Sequence, residues 1–184
     1  MIKIFITGPP GVGKTTAINR LYETLKLYGY NPGGFITYEL RERGTRVGFI
    51  IKSLQDNREG ILAHIKFSTG PQIGKYRVDV KALEEVGVRS VIDALKNDKV
   101  DIILIDEIGP MEMTSNKFKE AVNKVLDSEK PAVLTVHYRI STNLNKLFKT
   151  NRETKLYMMT RDNREAIPFV IWRELKTRGA LRDR

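Results

Sequence analysis

Apolar positions recur along the chain in two periods, and the two alternate. Residues 2–7, Ile2-Lys3-Ile4-Phe5-Ile6-Thr7, form a short run rich in β-branched and aromatic side chains, which predicts a strand. Ala17, Ile18, Leu21, Tyr22, Leu25 and Tyr28 then fall at spacings of three and four, the stripe of a helix that buries one face. Residues 29–34 read as a stop and turn. Beyond them 34–40 alternates toward 46–52 through a loop at 41–45, where Gly44 can supply φ > 0. A third run sets Ile61, Ala63, Ile65 and Phe67 against His64 and Lys66, so residues 34–67 are expected to form an antiparallel hairpin insertion.

The second half repeats a strand-then-helix rhythm. Val80, Leu83, Val86, Ile92 and Leu95 keep a helical period interrupted by Gly87, and Ile102-Ile103-Leu104-Ile105 follows as a continuous apolar run, the mark of a strand buried on both faces. A helix over about 117–126 packs Phe118, Val122, Val125 and Leu126. Strands at 132–136 and 155–160 are each followed by a helix, near 142–149 and over about 163–177. Strands alternating with helices predict βαβ units and an α/β fold of three layers with a mostly parallel sheet. Nothing in 1–184 reads as a repeat or a low-complexity linker, so a single domain is expected, with 178–184 as the frayed end of a terminal helix.

Composition narrows the class. At 184 residues and 41% hydrophobic content there is apolar material for one such core and not for a second full domain. There is no run of eighteen apolar residues, and Met1-Ile2-Lys3 leads directly into the first strand, which predicts a soluble, cytoplasmic protein with no membrane association. Zero cysteines exclude disulfides and thiolate metal sites. The net charge of +10 raises the question of nucleic acid, but the 32 Lys and Arg are spread along the chain, so a solvated basic surface is the preferred reading. The densest basic stretches are 146–152 and 173–184. Nothing resembles a coiled coil, and a monomer is expected.

Residues 8–15, Gly8-Pro9-Pro10-Gly11-Val12-Gly13-Lys14-Thr15, match G-x-x-x-x-G-K-[ST] between the first predicted strand and the first predicted helix. The glycines let the backbone turn and bring its N–H groups against phosphate oxygens, while the helix N-terminus adds partial positive charge. Lys14 is placed to reach the β- and γ-phosphates, and the Thr15 hydroxyl to ligate Mg²⁺. The pattern predicts binding of nucleoside triphosphates.

A second signal is Asp106-Glu107 at the end of the apolar run 102–105. Ligands of open α/β sheets bind at the carboxyl edge, where Asp106 suits the Mg²⁺ shell and Glu107 could orient or deprotonate water. Charge on the γ-phosphate also calls for a further cation. Arg139, just past the strand ending Thr135-Val136-His137, and Arg164, near the start of the last helix, are the candidates; a solvated surface arginine is the plain alternative for each. His137 ends a buried strand at the same edge and has the same two readings. Asp101 reads as a turn residue, His64 as structural, and Asp162 and Asn163 as base contacts or a helix cap.

Three segments taken together resemble the THEP-type, or cancer-related, nucleoside-triphosphatase family: 34–41 with 46–49, the stretch Asp106-Glu107-Ile108-Gly109-Pro110-Met111-Glu112, and Thr160-Arg161-Asp162-Asn163-Arg164. The resemblance spans about 2–176. It implies a P-loop NTPase with Mg²⁺, slow hydrolysis, and tolerance for several bases, ATP and GTP included. It implies that Gly8, Pro9, Pro10, Gly11, Val12, Gly13, Lys14, Thr15 and Thr16 line the nucleotide site together with Ile103, Leu104, Ile105, Asp106, Glu107, Ile108, Gly109 and Pro110. The chain departs from the pattern after Arg139, where members often carry His-Pro and this sequence has Ser141-Thr142-Asn143. A nucleotide or nucleoside kinase with an unidentified acceptor, and a nucleic-acid-stimulated ATPase, are the competing functions. The adjacent Glu107 favours hydrolysis over the first, and the lack of an RNA-binding signature weighs against the second.

Overall fold

The chain places its phosphate-binding loop at the carboxyl edge of a mixed sheet covered on both faces by helices. The computed structural model describes residues 1–148, 150 and 152–181; Lys149 and Asn151 of the basic stretch and 182–184 of the expected frayed end lie outside them. Strand β1 (Lys3–Thr7) feeds the loop and helix α1 (Lys14–Leu27). Then come β2 (Pro32–Glu42), β3 (Thr45–Ser53), β4 (Glu59–His64), β5 (Gln72–Ile73) and β6 (Tyr76–Val78). A continuous helical run over 80–96 comprises α2 (Val80–Ala82), a π-helical turn (Leu83–Val88) and α3 (Arg89–Lys96). Strand β7 (Ile102–Ile108), helix α4 (Asn116–Asp127), β8 (Ala132–Val136), the short helices α5 (Tyr138–Ser141) and α6 (Leu144–Leu147), β9 (Thr154–Met158) and α7 (Ile167–Thr177) complete it.

The strands run in the order β5-β6-β4-β3-β2-β7-β8-β1-β9. Strands β2, β7, β8, β1 and β9 pair in parallel, and β3, β4, β6 and β5 extend the sheet antiparallel. Strand β2 belongs to both parts: 32–35 lie against β7, while 35–42 pair with β3. The antiparallel region therefore continues past residue 67 into β5 and β6. Alternation along the parallel strands fills the two outer layers. Ile4, Ile6, Ile102, Leu104 and Val133 pack with α1 and α7 residues such as Ile18, Leu21 and Ile171, whereas Phe5, Ile103, Ile105, Leu134 and Val136 join Phe118, Val122 and Val91 from α4 and α3.

Four local expectations shift. Gly87 does not interrupt its helix: the chain takes a π turn there, and a Cβ at 87 would meet Ile51 Cδ1 at 2.7 Å, so the missing side chain lets the helix settle on β3. The helix expected near 142–149 is only the four-residue α6, preceded by Asn143 at φ −118° and ψ 12°, outside the helical region, and another four-residue helix, α5, ends at Ser141 before that range begins. The last helix starts at Ile167, with Pro168 in its first turn, where a missing N–H costs no hydrogen bond. Asn163 lies before it and ties the 158–163 turn, accepting from Thr160 N at 2.8 Å and donating to Met158 O at 2.9 Å, so it does not cap α7.

Candidate functional site

Because β1, β7, β8 and β9 are parallel, their carboxyl ends share one edge of the sheet. The P-loop leaves β1 at Thr7 and enters α1 through Gly11 (φ 75°) and Gly13 (φ 107°), conformations that a Cβ would oppose. Strand β8 lies between β1 and β7, so the P-loop and the Asp106-Glu107 pair face each other across it. Around Glu107 the β7–β8 ladder shifts register between Ile105 and Ile108, and the Asp106–Glu107 peptide is cis.

Asp106 is enclosed by hydroxyls. Thr15 Oγ1 donates to Oδ2 at 2.8 Å, Thr37 Oγ1 to the same oxygen at 3.4 Å, and Thr135 Oγ1 to Oδ1 at 2.5 Å. Thr15, Asp106 and Thr135 thus connect α1, β7 and β8. Burial pushes the Asp106 carboxyl above the ordinary carboxylate value, against the pull of Thr135, Thr15 and Lys14 toward ionisation. Lys14 Nζ donates to Gly8 O at 3.3 Å and lies 4.0 Å from Glu107 Oε2. Glu107 is pushed up to about 7 by burial and by Asp106, with Lys14 opposing. His137, which ends β8, is lowered by burial and by the charges of Lys14 and Arg139, so these three share one neighbourhood.

The edge brings together Lys14, Thr15, Asp106 and Glu107, four of the residues to which the sequence assigns chemistry. The arginines separate. Arg139 opens the short helix α5, its N–H donating to His137 Nδ1 at 3.3 Å. Arg164 lies on the other flank, where with Gly13, Thr16 and Met159 it lines a cavity of about 240 Å³ and has its Nε 3.6 Å from Glu165 Oε1. Ile103, Leu104 and Ile105 are wholly buried in the sheet core and support the site from behind. His64 is structural, its Nδ1 accepting from Lys66 N at 3.0 Å, whereas Asp101, expected in a turn, instead ties the start of β7 to the segment before β2, its carboxylate accepting from Asn31 N at 2.7 Å.

Three polar residues of this edge have no assigned role in the sequence reading. Thr135 is a hydroxyl inside the otherwise apolar run 132–136, and that mismatch was its only signal. Thr37 sits in the first resembling segment. Glu112, in the second, is buried, and the backbone of Gly109 and of residue 112 draws its carboxyl toward ionisation, against the burial.

A P-loop delivered by a buried parallel strand, facing a carboxylate pair one strand away, defines a nucleotide-binding α/β enzyme of the P-loop NTPase type. A family model described as NTPase matches residues 3–172. The nucleoside-triphosphatase THEP1 of Thermofilum pendens is 42% identical over 172 residues, covering 92% of this chain and 93% of the relative; that of Methanocaldococcus jannaschii is 47% identical over 167 residues, covering 90% and 92%. The crystal structure of THEP1 from Aquifex aeolicus superposes with a TM-score of 0.76 at 31% identity over 92% of this chain and 96% of that one. The solution structure of a human cancer-related nucleoside triphosphatase gives 0.76 at 28%, over 96% and 98%. The chain belongs to the THEP1 nucleoside-triphosphatase family. It is a hydrolase acting on nucleotides, and among the described residues no helix is long and apolar enough to cross a membrane.

Proposed function

We propose that this enzyme hydrolyses the β–γ bond of ATP, GTP and other nucleoside triphosphates, using Mg²⁺, to the diphosphate and phosphate. The observation that carries the reading is the Thr15–Asp106 contact of 2.8 Å across β8, with Glu107 beside Lys14 at 4.0 Å. A hydroxyl and a carboxylate are both hard oxygen donors and match Mg²⁺, which keeps most of its shell as water and phosphate oxygen. Thr15 and Asp106 would hold the ion; when bound it supplies positive charge between the β- and γ-phosphates.

The protein's own groups do the rest. P-loop N–H groups and Lys14 hold the phosphates, and Arg139, beside His137, supports the charge that develops on the γ-oxygens. Glu107 in its ionised form accepts a proton from water as the water oxygen bonds to the γ-phosphorus and the bond to the β-bridging oxygen breaks. The leaving diphosphate carries away that electron pair, and Glu107 returns the proton to solvent. The cavity beside Gly13, Thr16, Met159 and Arg164 takes the nucleoside end. Its planar Arg164 offers a stacking surface that suits any base, in keeping with broad base tolerance. The same reading takes the protein as a cytoplasmic monomer with a solvated basic surface.

The test is phosphate release from ATP, GTP, CTP and UTP with Mg²⁺ and no acceptor, for the parent enzyme and Glu107→Gln. Release from several triphosphates, slowed about a hundredfold in the variant with binding retained, is the expected result. Transfer to an added nucleoside in place of water would point to a kinase, release only with RNA to a nucleic-acid-coupled ATPase, and unchanged turnover in Glu107→Gln would remove that residue from the mechanism.

A further inference from the structure

The turn that follows Glu107 is built around a second buried acid. A Cβ placed on Gly109 would lie 2.8 Å from Glu112 Oε2 and 3.0 Å from Glu107 Oε1, so the two carboxyl groups flank that glycine and fill the space a side chain would need. Glu112 is only 4% exposed, and the backbone of Gly109 and of residue 112 draws its carboxyl toward ionisation, against the burial. A single-turn 3₁₀ helix, Glu112–Thr114, then locks the backbone: Met113 N donates to Gly109 O at 2.9 Å and Ser115 N to Glu112 O at 3.2 Å. Ser115 continues the connection by capping α4, its Oγ accepting from Phe118 N at 3.1 Å and donating to Glu84 Oε1 at 2.9 Å. Glu107 is thereby joined to the packed α4 layer through one side chain, that of Glu112.

Burying a carboxyl is costly unless the fold has a use for it, and a turn held by backbone bonds alone would not need one. Burial and the neighbouring Glu107 raise Glu112 well above the usual carboxylate range, which favours its uncharged form. An uncharged acid still packs against Gly109 and adds no second negative charge beside Glu107.

We propose that Glu112 is a positioning residue of the hydrolytic centre, holding the 107–110 turn through Gly109 so that the Glu107 carboxylate keeps one orientation toward the γ-phosphate. This rests on the reading of Glu107 as the group that handles water. Glu112 touches neither substrate nor metal, and its effect runs through Glu107.

A double-substitution cycle tests this, measuring kcat and KM for MgATP in the parent, Glu112→Ala, Glu107→Gln and the pair. Glu112→Ala is expected to lower kcat about tenfold or more with KM changed less than about threefold, because a positioning loss falls on the transition state. In the Glu107→Gln background the same substitution should cost less than about twofold, since there is no base left to aim. Glu112→Gln, which keeps the size and the packing against Gly109, should recover most of the lost rate and is the variant to use if alanine does not fold. Equal losses in both backgrounds, or a glutamine variant as slow as alanine, would overturn the positioning role while leaving Glu107 in place. A Glu107→Gln enzyme at full speed would overturn both, and is distinguishable because it appears in the first single variant.

Discussion

If Glu107 is the group that accepts the proton, the rate must follow its ionisation. Its carboxyl is displaced from 4.5 to about 7, first by burial and then by the negative charge of Asp106, with Lys14 pulling the other way. The base is competent only when ionised, so kcat/KM should rise with pH and level off above about 7. With a midpoint near 7, about one tenth of the enzyme is competent at pH 6 and about one hundredth at pH 5, a slope of one per pH unit. The groups that share this neighbourhood are Asp106, Lys14, Glu112 and His137. Of these His137 is the confounder, since its own value is lowered from 6.5 and its titration would leave a limb at more acidic pH. The assay is phosphate release from MgATP between pH 5 and 8.5, in the parent, in Glu107→Gln and in His137→Gln. The expected outcome is a limb near 7 in the parent and in His137→Gln, and a flat profile, about a hundredfold lower, in Glu107→Gln. A parent profile already level above about pH 5.5, or a limb near 7 that survives in Glu107→Gln, would refute the assignment.

Three other expectations follow from contacts elsewhere in the chain. Arg164→Ala should raise KM for all four triphosphates about fivefold, the loss of roughly 1 kcal/mol of stacking, while hydrolysis of inorganic tripolyphosphate, which has no base, stays unchanged; an equal effect on tripolyphosphate would move Arg164 to the phosphate end. Glu174 feels burial, which opposes its ionisation, but hydrogen bonds from Lys155 (2.6 Å), Tyr157 and Arg178 (2.8 Å) outweigh it and bring the carboxyl down to about 2. A folded-state value below the unfolded 4.5 gives stability that is complete above 4.5 and lost as pH falls toward 2; Lys155 and Arg178 are 43% and 38% exposed, so the amount is about 1–2 kcal/mol, and Glu174→Gln should flatten that acid limb in denaturant titrations. Lys3 is buried in β1 and donates from Nζ to Ser128 O (3.0 Å), Ser128 Oγ (3.2 Å) and Lys130 O; Lys3→Met should cost about 1–3 kcal/mol in unfolding free energy by leaving those carbonyls without a donor, and an unchanged melting temperature would remove it from the structural scaffold.

The parts of the site that could be read from the chain are those whose geometry is local. Gly11, Gly13, Lys14 and Thr15 act within one strand–loop–helix passage, and the flanking periods of two and 3.6 identify it. Asp106 and Glu107 end an apolar run that has to be a buried strand. By contrast, nothing in the sequence says that β8 lies between β1 and β7, and that insertion brings the Thr135 hydroxyl to 2.5 Å from Asp106. Strands β5 and β6 escaped because two- and three-residue strands carry too few side chains to show a period. The lysine of β1 lies within a short apolar run, and nothing in the sequence shows that it is a donor to the turn after α4. Helix α5 escaped because four residues carry too few side chains to show a period, and the helix expected near 142–149 shrinks to α6 because Asn143 before it and Phe148 after it leave the helical backbone.

The arrangement around Asp106 explains why this edge can serve a hydrolase with so few charged groups. An enclosed carboxylate loses the water that would stabilise its charge, and only donors aimed at it can compensate. Here those donors are neutral hydroxyls from three different elements, Thr15 on α1, Thr37 on β2 and Thr135 on β8. Thr37 and Thr135 come from sheet strands and fix the carboxylate from the protein side. Thr15 belongs to the P-loop helix, whose amides would face the phosphates in the proposed reading. There its hydroxyl could turn from Asp106 toward a cation without releasing the carboxylate, since two strand hydroxyls still hold it. A lysine or arginine in place of those threonines would neutralise Asp106 and remove the attraction for a divalent ion that this reading needs. Neutral donors would keep the negative charge available where Lys14 and the P-loop amides are proposed to collect the phosphates.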